Sequence, residues 1–153
     1  MQAFFKDFIN ILQECHNEIM EALDGLPSEA LDWIPGPEMN SLSVIVTHLT
    51  GAERYWIGDV AAQEPSGRDR DAEFKVYGKD MAFLKKRLDD SLEYAQNLLS
   101  KFTLEDLHTT CKARDGETVT VAWALLHALE HSTLHQGQIE LTRQLWERAR
   151  QSS

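Results

Sequence analysis

Cysteine is scarce and unclustered in this sequence. Cys15 and Cys111 are the only two, and neither belongs to a CxxC pair. No thiolate zinc framework or disulfide scaffold is therefore available, which leaves a single Cys15–Cys111 bridge as the one covalent option and suits a reduced, cytoplasmic setting. Cations are also in deficit. Fifteen Lys and Arg stand against twenty-five Asp and Glu, a formal net charge of -10. A broad nucleic-acid footprint needs clustered cations, so no nucleic-acid partner is expected. The one basic run, Lys85-Lys86-Arg87, is answered at once by Asp89-Asp90 and reads as a solvated helix face. No apolar run is long enough to cross a bilayer, and no membrane partner is expected. The N-terminus enters an amphipathic segment bearing Lys6 and Asp7, which is not the pattern of a signal peptide. Internal repeats, low-complexity tracts, phosphate-binding glycine loops and HExxH are all missing.

What remains is helical periodicity. The 153 residues are read as one domain, 1–153, large enough for a core without staples. Phe5, Phe8, Ile9, Leu12, Ile19 and Leu23 recur at helical spacing and predict a first helix over 3–23, ended by Gly25 and Pro27. Residues 27–40 contain Pro35-Gly36-Pro37, which cannot continue a helix. Their Leu31, Trp33 and Ile34 suit packing across a bundle end. Asn40 or Ser41 offers a cap for a second helix over 42–59 or slightly beyond, in which Gly51 permits close backbone approach at a helix crossing. Residues 63–71 read as an exposed connector. Its Arg68 and Arg70 suit either an anionic ligand or the neighbouring aspartates. A third helix is expected over 71–100, on the stripe Phe74, Tyr77, Met81, Leu84, Leu88, Leu92, Ala95 and Leu99, with Gly78 weakening its continuity. The segments 108–113 and 117–121 flank Arg114-Asp115-Gly116 and suggest a small hairpin or extended excursion. Thr118 or Thr120 can cap a last helix over 121–148, with Trp123, Leu126, Leu129, Leu134, Leu141 and Leu145 as its apolar positions and Leu125, Ala128, Ser132, Ile139 and Trp146 widening the buried face. These elements predict an all-α antiparallel four-helix bundle with a short hairpin or excursion before the last helix.

Three of the six histidines, His127, His131 and His135, fall in that last helix at intervals of four. Side chains four apart differ by roughly 40 degrees around the axis, so an adjacent pair can share an ion while the outer pair cannot readily do so. His131 and His135 are thus candidate ligands for one metal, and the third ligand belongs on another helix. His48, on the inward side of the second helix, is the best candidate. Three neutral imidazoles suit zinc or a borderline ion such as nickel. Hydrogen-bonded core histidines are the competing reading. His16 is read as such a core histidine, and His108 as structural or exposed. Glu130 points about 100 degrees away from His131 and does not qualify as its base. Arg54 and Arg143 would contact a substrate anion only if their helices brought them to a pocket rim; otherwise they are surface cations.

Three short segments occur in a familiar order: Trp33-Ile-Pro35; Ser43-Val-Ile-Val-Thr-His48 with Glu53-Arg-Tyr-Trp56; and His131-Ser-Thr-Leu-His135-Gln-Gly-Gln138-Ile139. In this the chain resembles the DinB/YfiT-like superfamily of metal-binding four-helix proteins over nearly its whole length. The resemblance implies a divalent metal, zinc or nickel, held by His48, His131 and His135. His127 is an addition without a family role, suited to hydrogen-bonding a ligand or lining a pocket mouth and not counted among the metal ligands. The resemblance further implies a metal-dependent transferase activating a low-molecular-weight thiol against an electrophilic substrate, a metal-dependent hydrolase, or a stress-associated metal-binding protein without turnover. It also makes a homodimer plausible.

Overall fold

The computed structural model describes residues 1–114 and 116–151. Four long helices form the bundle: α1 (Ala3–Leu23), α3 (Leu42–Glu53), α5 (Met81–Leu99) and α6 (Val121–Gln151). Two single-turn helices, α2 (Ser28–Leu31) and α4 (Arg70–Glu73), lie in the connectors. Helix α3 continues without a break as a π-helical segment, Arg54–Ala61. The expected hairpin is present. Strand β1 (Thr110–Lys112) pairs antiparallel with β2 (Thr118–Thr120), Cys111 lying opposite Val119. The turn expected at Asp115 lies outside the described residues.

The predicted caps form where helix starts were expected. Ser41 Oγ accepts from Val44 N at 3.3 Å, and Thr120 Oγ1 accepts from Trp123 N at 3.1 Å. The third helix begins later than its stripe suggests. Gly78 adopts a left-handed conformation (φ 68) and Asp80 caps the chain anew through Phe83 N at 2.8 Å. Upstream only α4 is helical, so Tyr77 is exposed rather than part of a core stripe. The last helix departs from the reading in part: Leu125, Ala128, Ser132, Ile139 and Trp146 are buried as expected, but four of the six main apolar positions are exposed. Its buried face is Val121, Ala124, Leu125, Ala128, Ser132, Ile139, Thr142 and Trp146, while Trp123, Leu126, Leu134 and Leu141 are exposed. Two apolar stripes compete on α6, and tertiary packing selects the one with smaller residues, which lets α1 and α3 come close.

Helix α6 packs on α1 and α3, and α5 packs on the same two. Successive long helices α1 and α3 therefore sit across a diagonal, as do α5 and α6. Direction follows from the contacts. Gln136 meets Glu18, and Arg143 reaches the Ala22 carbonyl at 3.1 Å, so α1 and α6 run the same way. Arg87 meets Thr50 at 2.9 Å and Ser91 meets Glu53 at 2.5 Å, so α3 and α5 also run together. The antiparallel character lies between these two pairs. Because α3 and α5 are parallel, residues 62–80 must return along the bundle before α5 can start, and this return strand of chain passes over α3.

The apolar interior has two halves. One gathers Phe5, Leu12, Ile57, Leu99 and Leu125. The other gathers Ile19, Leu23, Leu49, Leu88 and Ile139. Between them lies a polar layer with one side chain from each long helix. The carboxylate of Glu53, 1% exposed, accepts from His16 Nε2 (2.9 Å), Ser91 Oγ (2.5 Å) and Ser132 Oγ (2.8 Å). His16 is thus a core histidine held by hydrogen bonds, as its sequence setting suggested. All twelve residues of α3 are buried, since α5, α6 and the returning chain cover it on every side.

Candidate metal centre

Helices α3 and α6 cross antiparallel at the level of His48, with one ring from the first helix and two from the second meeting there. The ring centroids of His48 lie 5.1 Å from both His131 and His135, and those of His131 and His135 are 4.3 Å apart. One nitrogen from each falls within 4.8 Å of the others. Among the described residues this is the one group of three or more His, Cys, Asp or Glu side chains close enough to share an ion. The sequence nominated the same three residues.

The protonation chemistry suits ligands. Burial pushes His131 down to about 3, and the fields of His135, His48, His127 and Arg68 act in the same direction. Burial also lowers His135, with Gln138 opposing it and His48 adding to it. Both rings are therefore neutral at pH 7 and offer a lone pair. Two of the three have their other nitrogen engaged. His48 Nδ1 lies 3.0 Å from Glu73 Oε2, and His135 Nδ1 lies 2.8 Å from Gln138 Oε1. Acceptors at Nδ1 put the proton there and leave Nε2 free, as in a metal-ligating histidine with its outer partner. The Nε2 atoms of His131 and His135 are 3.2 Å apart. Two ligands of a tetrahedral zinc with bonds near 2.05 Å would stand about 3.3 Å apart. His131 Nδ1 is buried without a partner among the described residues. The donor set thus fits a borderline divalent ion.

Sequence reasoning missed Glu73 and the use made of Arg68. Arg68 was expected to meet either an anionic ligand or neighbouring aspartates; instead its Nε and Nη2 grip Glu73 at 2.6 and 2.8 Å. Burial would raise the Glu73 carboxyl, but hydrogen bonds from Arg68 and His48 and their charges hold it below the usual carboxylate range. The returning segment brings this pair to His48, and Gly51 makes room: a Cβ there would run into the Glu73 carboxylate. Gly51 was expected to admit the backbone of a crossing helix; what approaches instead is this side-chain carboxylate. No spacing motif links Glu73 to His48, because a connector without periodicity joins them.

A cavity of about 250 Å³ opens beside the rings, with His48, His131, His127, Trp56, Tyr55 and Glu117 among its walls. Arg68, Arg70 and Arg114 also reach it. His127 stands outside the three. It stacks on Trp123 at 4.8 Å, meets Glu130 through Nδ1 at 3.1 Å, and lines the cavity. His108 is exposed in a 3-10 turn, Glu105–His108. Arg143 caps the end of α1 through the carbonyls of Glu21, Ala22 and Asp24, well away from this cavity. Cys15 and Cys111 are both free and buried. No described helix is long and apolar enough to cross a membrane.

Known structures share this fold at low sequence identity. A conserved protein from Enterococcus faecalis superposes with a TM-score of 0.80, 17% identity, and coverage of 95% of this chain and 97% of its own. YfiT from Bacillus subtilis, described as a probable metal-dependent hydrolase with an unusual four-helix bundle topology, gives 0.74 and 16%, covering 94% and 89%. A DinB-like protein from Bacillus cereus gives 0.68 and 17%, covering 91% and 90%. No curated protein matches the sequence. The DinB superfamily model matches residues 11–139, from within α1 to within α6 and past all three histidines. On that match this chain belongs to the DinB superfamily.

Proposed function

We propose that His48, His131 and His135 hold one divalent ion, zinc or nickel, and that the centre serves a transferase acting on a low-molecular-weight thiol and an electrophilic substrate. The observation that carries the reading is the convergence of three imidazoles beside a cavity to whose wall Arg68, Arg70 and Arg114 bring more positive charge than Glu117 brings negative. An ion bound by neutral ligands keeps its full charge and supplies Lewis acidity at an open position, lowering the pKa of a thiol there. The residues of this chain do the rest. Glu73 and Gln138 fix two of the rings, and Tyr55, Trp56 and His127 give flat walls for an organic body. Arg68, Arg70 and Arg114 favour an anionic partner. Glu73 is not the general base, since Arg68 and His48 engage both of its oxygens.

Hydrolysis is the second reading, favoured by what is said of YfiT. In it Glu117, the one carboxylate among the described residues that line the cavity, takes the proton from water. Metal analysis of protein purified without added metal, repeated on His131→Ala, tests the centre. One ion per chain, lost in the variant, is expected; a metal-free native protein would sink both readings. Metal-dependent consumption of thiols with a panel of electrophiles, set against ester and amide hydrolysis, then separates transfer from hydrolysis. Metal binding with no turnover in either assay would favour a stress-associated binding protein.

The same reading includes a homodimer. Trp123, Leu126, Leu134 and Leu141 form an exposed stripe on α6 that a second copy would cover. Sedimentation of Leu134→Lys beside the native chain tests it: a native dimer and a monomeric variant are expected.

A further inference from the structure

A second cavity, about 390 Å³, lies between α3, α4 and α5 and shares only Arg68 with the cavity at the histidines. Three guanidinium groups reach it, and two are paired with carboxylates. Arg54 pairs with Asp59 at 2.8 Å and donates to the Glu64 carbonyl at 3.0 Å. Arg68 is held by Glu73. Arg87 differs. It forms no ion pair among the described residues, and its bonds go to neutral acceptors: Nε to Thr50 Oγ1 at 2.9 Å and Nη2 to the Thr47 carbonyl at 3.2 Å. Its Nη1 protons meet no acceptor among the described residues. Burial pulls this guanidinium below its ordinary value, against the fields of Glu73 and Asp90, which is the cost of a half-buried cation without a contacting anion.

Thr47 lines the same cavity, is 4% exposed, and its hydroxyl has no hydrogen-bond partner among the described residues. A buried donor left unmade is unusual. Here it stands beside an underused guanidinium, in a chain whose net charge of -10 makes an anion-seeking hollow anything but generic. Glu73 and Asp69 also line the cavity, but Arg68 and His48 already engage both oxygens of Glu73, and Asp69 accepts from Ala72 N at the start of α4.

We propose that this cavity is an oxyanion-binding site, in which a carboxylate or phosphate group of a small molecule docks on Arg87 and the Thr47 hydroxyl. The free Nη protons of Arg87 donate to one or two of its oxygens, the geometry for which guanidinium is suited. Thr47 donates to another, and Phe83 and Val76 cover the apolar body of the ligand. The volume is that of a small-molecule site, too small for a macromolecular partner. The site stands independently of the metal reading, because none of the three histidines lines it.

Calorimetric titration of the full chain, freed of metal, with inorganic phosphate and separately with succinate tests the site in chloride buffer of fixed ionic strength. Saturable binding of at least one probe at a single site is expected, and the stronger of the two identifies the preferred anion. Arg87→Gln should weaken it at least about tenfold, the effect of losing a charge-assisted hydrogen bond. Thr47→Val should weaken it as well without lowering the melting temperature, since its hydroxyl makes no bond that the fold would lose. His131→Ala should bind the probe as the native chain does. No saturable binding of either probe overturns the proposal, and so does native-like binding in both cavity variants. Binding abolished by His131→Ala places the anion at the histidines instead and overturns it too.

Discussion

Glu73 takes both bonds of Arg68 and the Nδ1 edge of His48, so one carboxylate sets the orientation of a ring whose other nitrogen is free for a metal. Glu73→Gln should lower metal affinity by about 10- to 100-fold, the usual effect of losing an outer partner of a ligand. Competition against a chromogenic chelator reads this directly; unchanged affinity would leave Glu73 as an ion-pair partner of Arg68 alone. Glu53 invites a different measurement. Burial would raise its carboxyl, but the charge of His16 and hydrogen bonds from His16, Ser91 and Ser132 hold it below the ordinary range. The native carboxyl then titrates below the unfolded one, near 4.3, so in that interval the unfolded chain takes up more protons. Its contribution is complete above that pH and disappears as pH falls through the native value. Glu53→Gln should cost on the order of 3 kcal/mol at neutral pH by breaking the buried pair. Its urea-derived stability should also fall less steeply than the native curve below about pH 4.5. Cys15 is pushed up to about 12 by burial, reinforced by Glu53, Glu18 and Glu140, so the native thiol should react with Ellman's reagent only at the rate of unfolding.

Among the elements, α3 and its π-helical extension carry the most. Gly51 faces the Glu73 carboxylate, and Gly58 faces the Arg54 guanidinium and the Tyr94 hydroxyl. Gly51→Ala should therefore add helix propensity yet weaken metal binding, because Cβ displaces Glu73. An affinity equal to that of the native chain would show that Glu73 can move without consequence. Helix existence was legible in the sequence wherever apolar spacing was long and ended in a turn residue. That holds for α1, for the Ser41 cap and for the hairpin around 110–120. It failed at Phe74 and Tyr77, where residues in register with α5 belong to a separate turn, because spacing alone does not record that Gly78 reverses the backbone. On α6 it was half right: Leu125, Ala128, Ser132, Ile139 and Trp146 are buried as read, but the larger apolar residues Trp123, Leu126, Leu134 and Leu141 face outward, because only the neighbours of the helix decide which stripe is covered. His48, His131 and His135 were legible because residues four apart on one helix need a third partner elsewhere. Glu73, Arg68 and Thr47 were not, since their roles arise from where the returning chain crosses α3.

At the scale of the whole molecule, two parallel pairs packed against each other explain why residues 62–80 cross the bundle at all. A simple up-and-down order would have closed α3 to α5 with a short turn and left His48 without Glu73. The pairing also fixes where load would travel. Helices α1 and α6 lie side by side and point the same way, so the start of α1 and the end of α6 sit at opposite ends of the bundle. Force applied between those two points acts along the shared axis and slides one helix past the other, loading Gln136, Arg143 and the apolar seam at once. Pulled at its ends, this chain resists in shear.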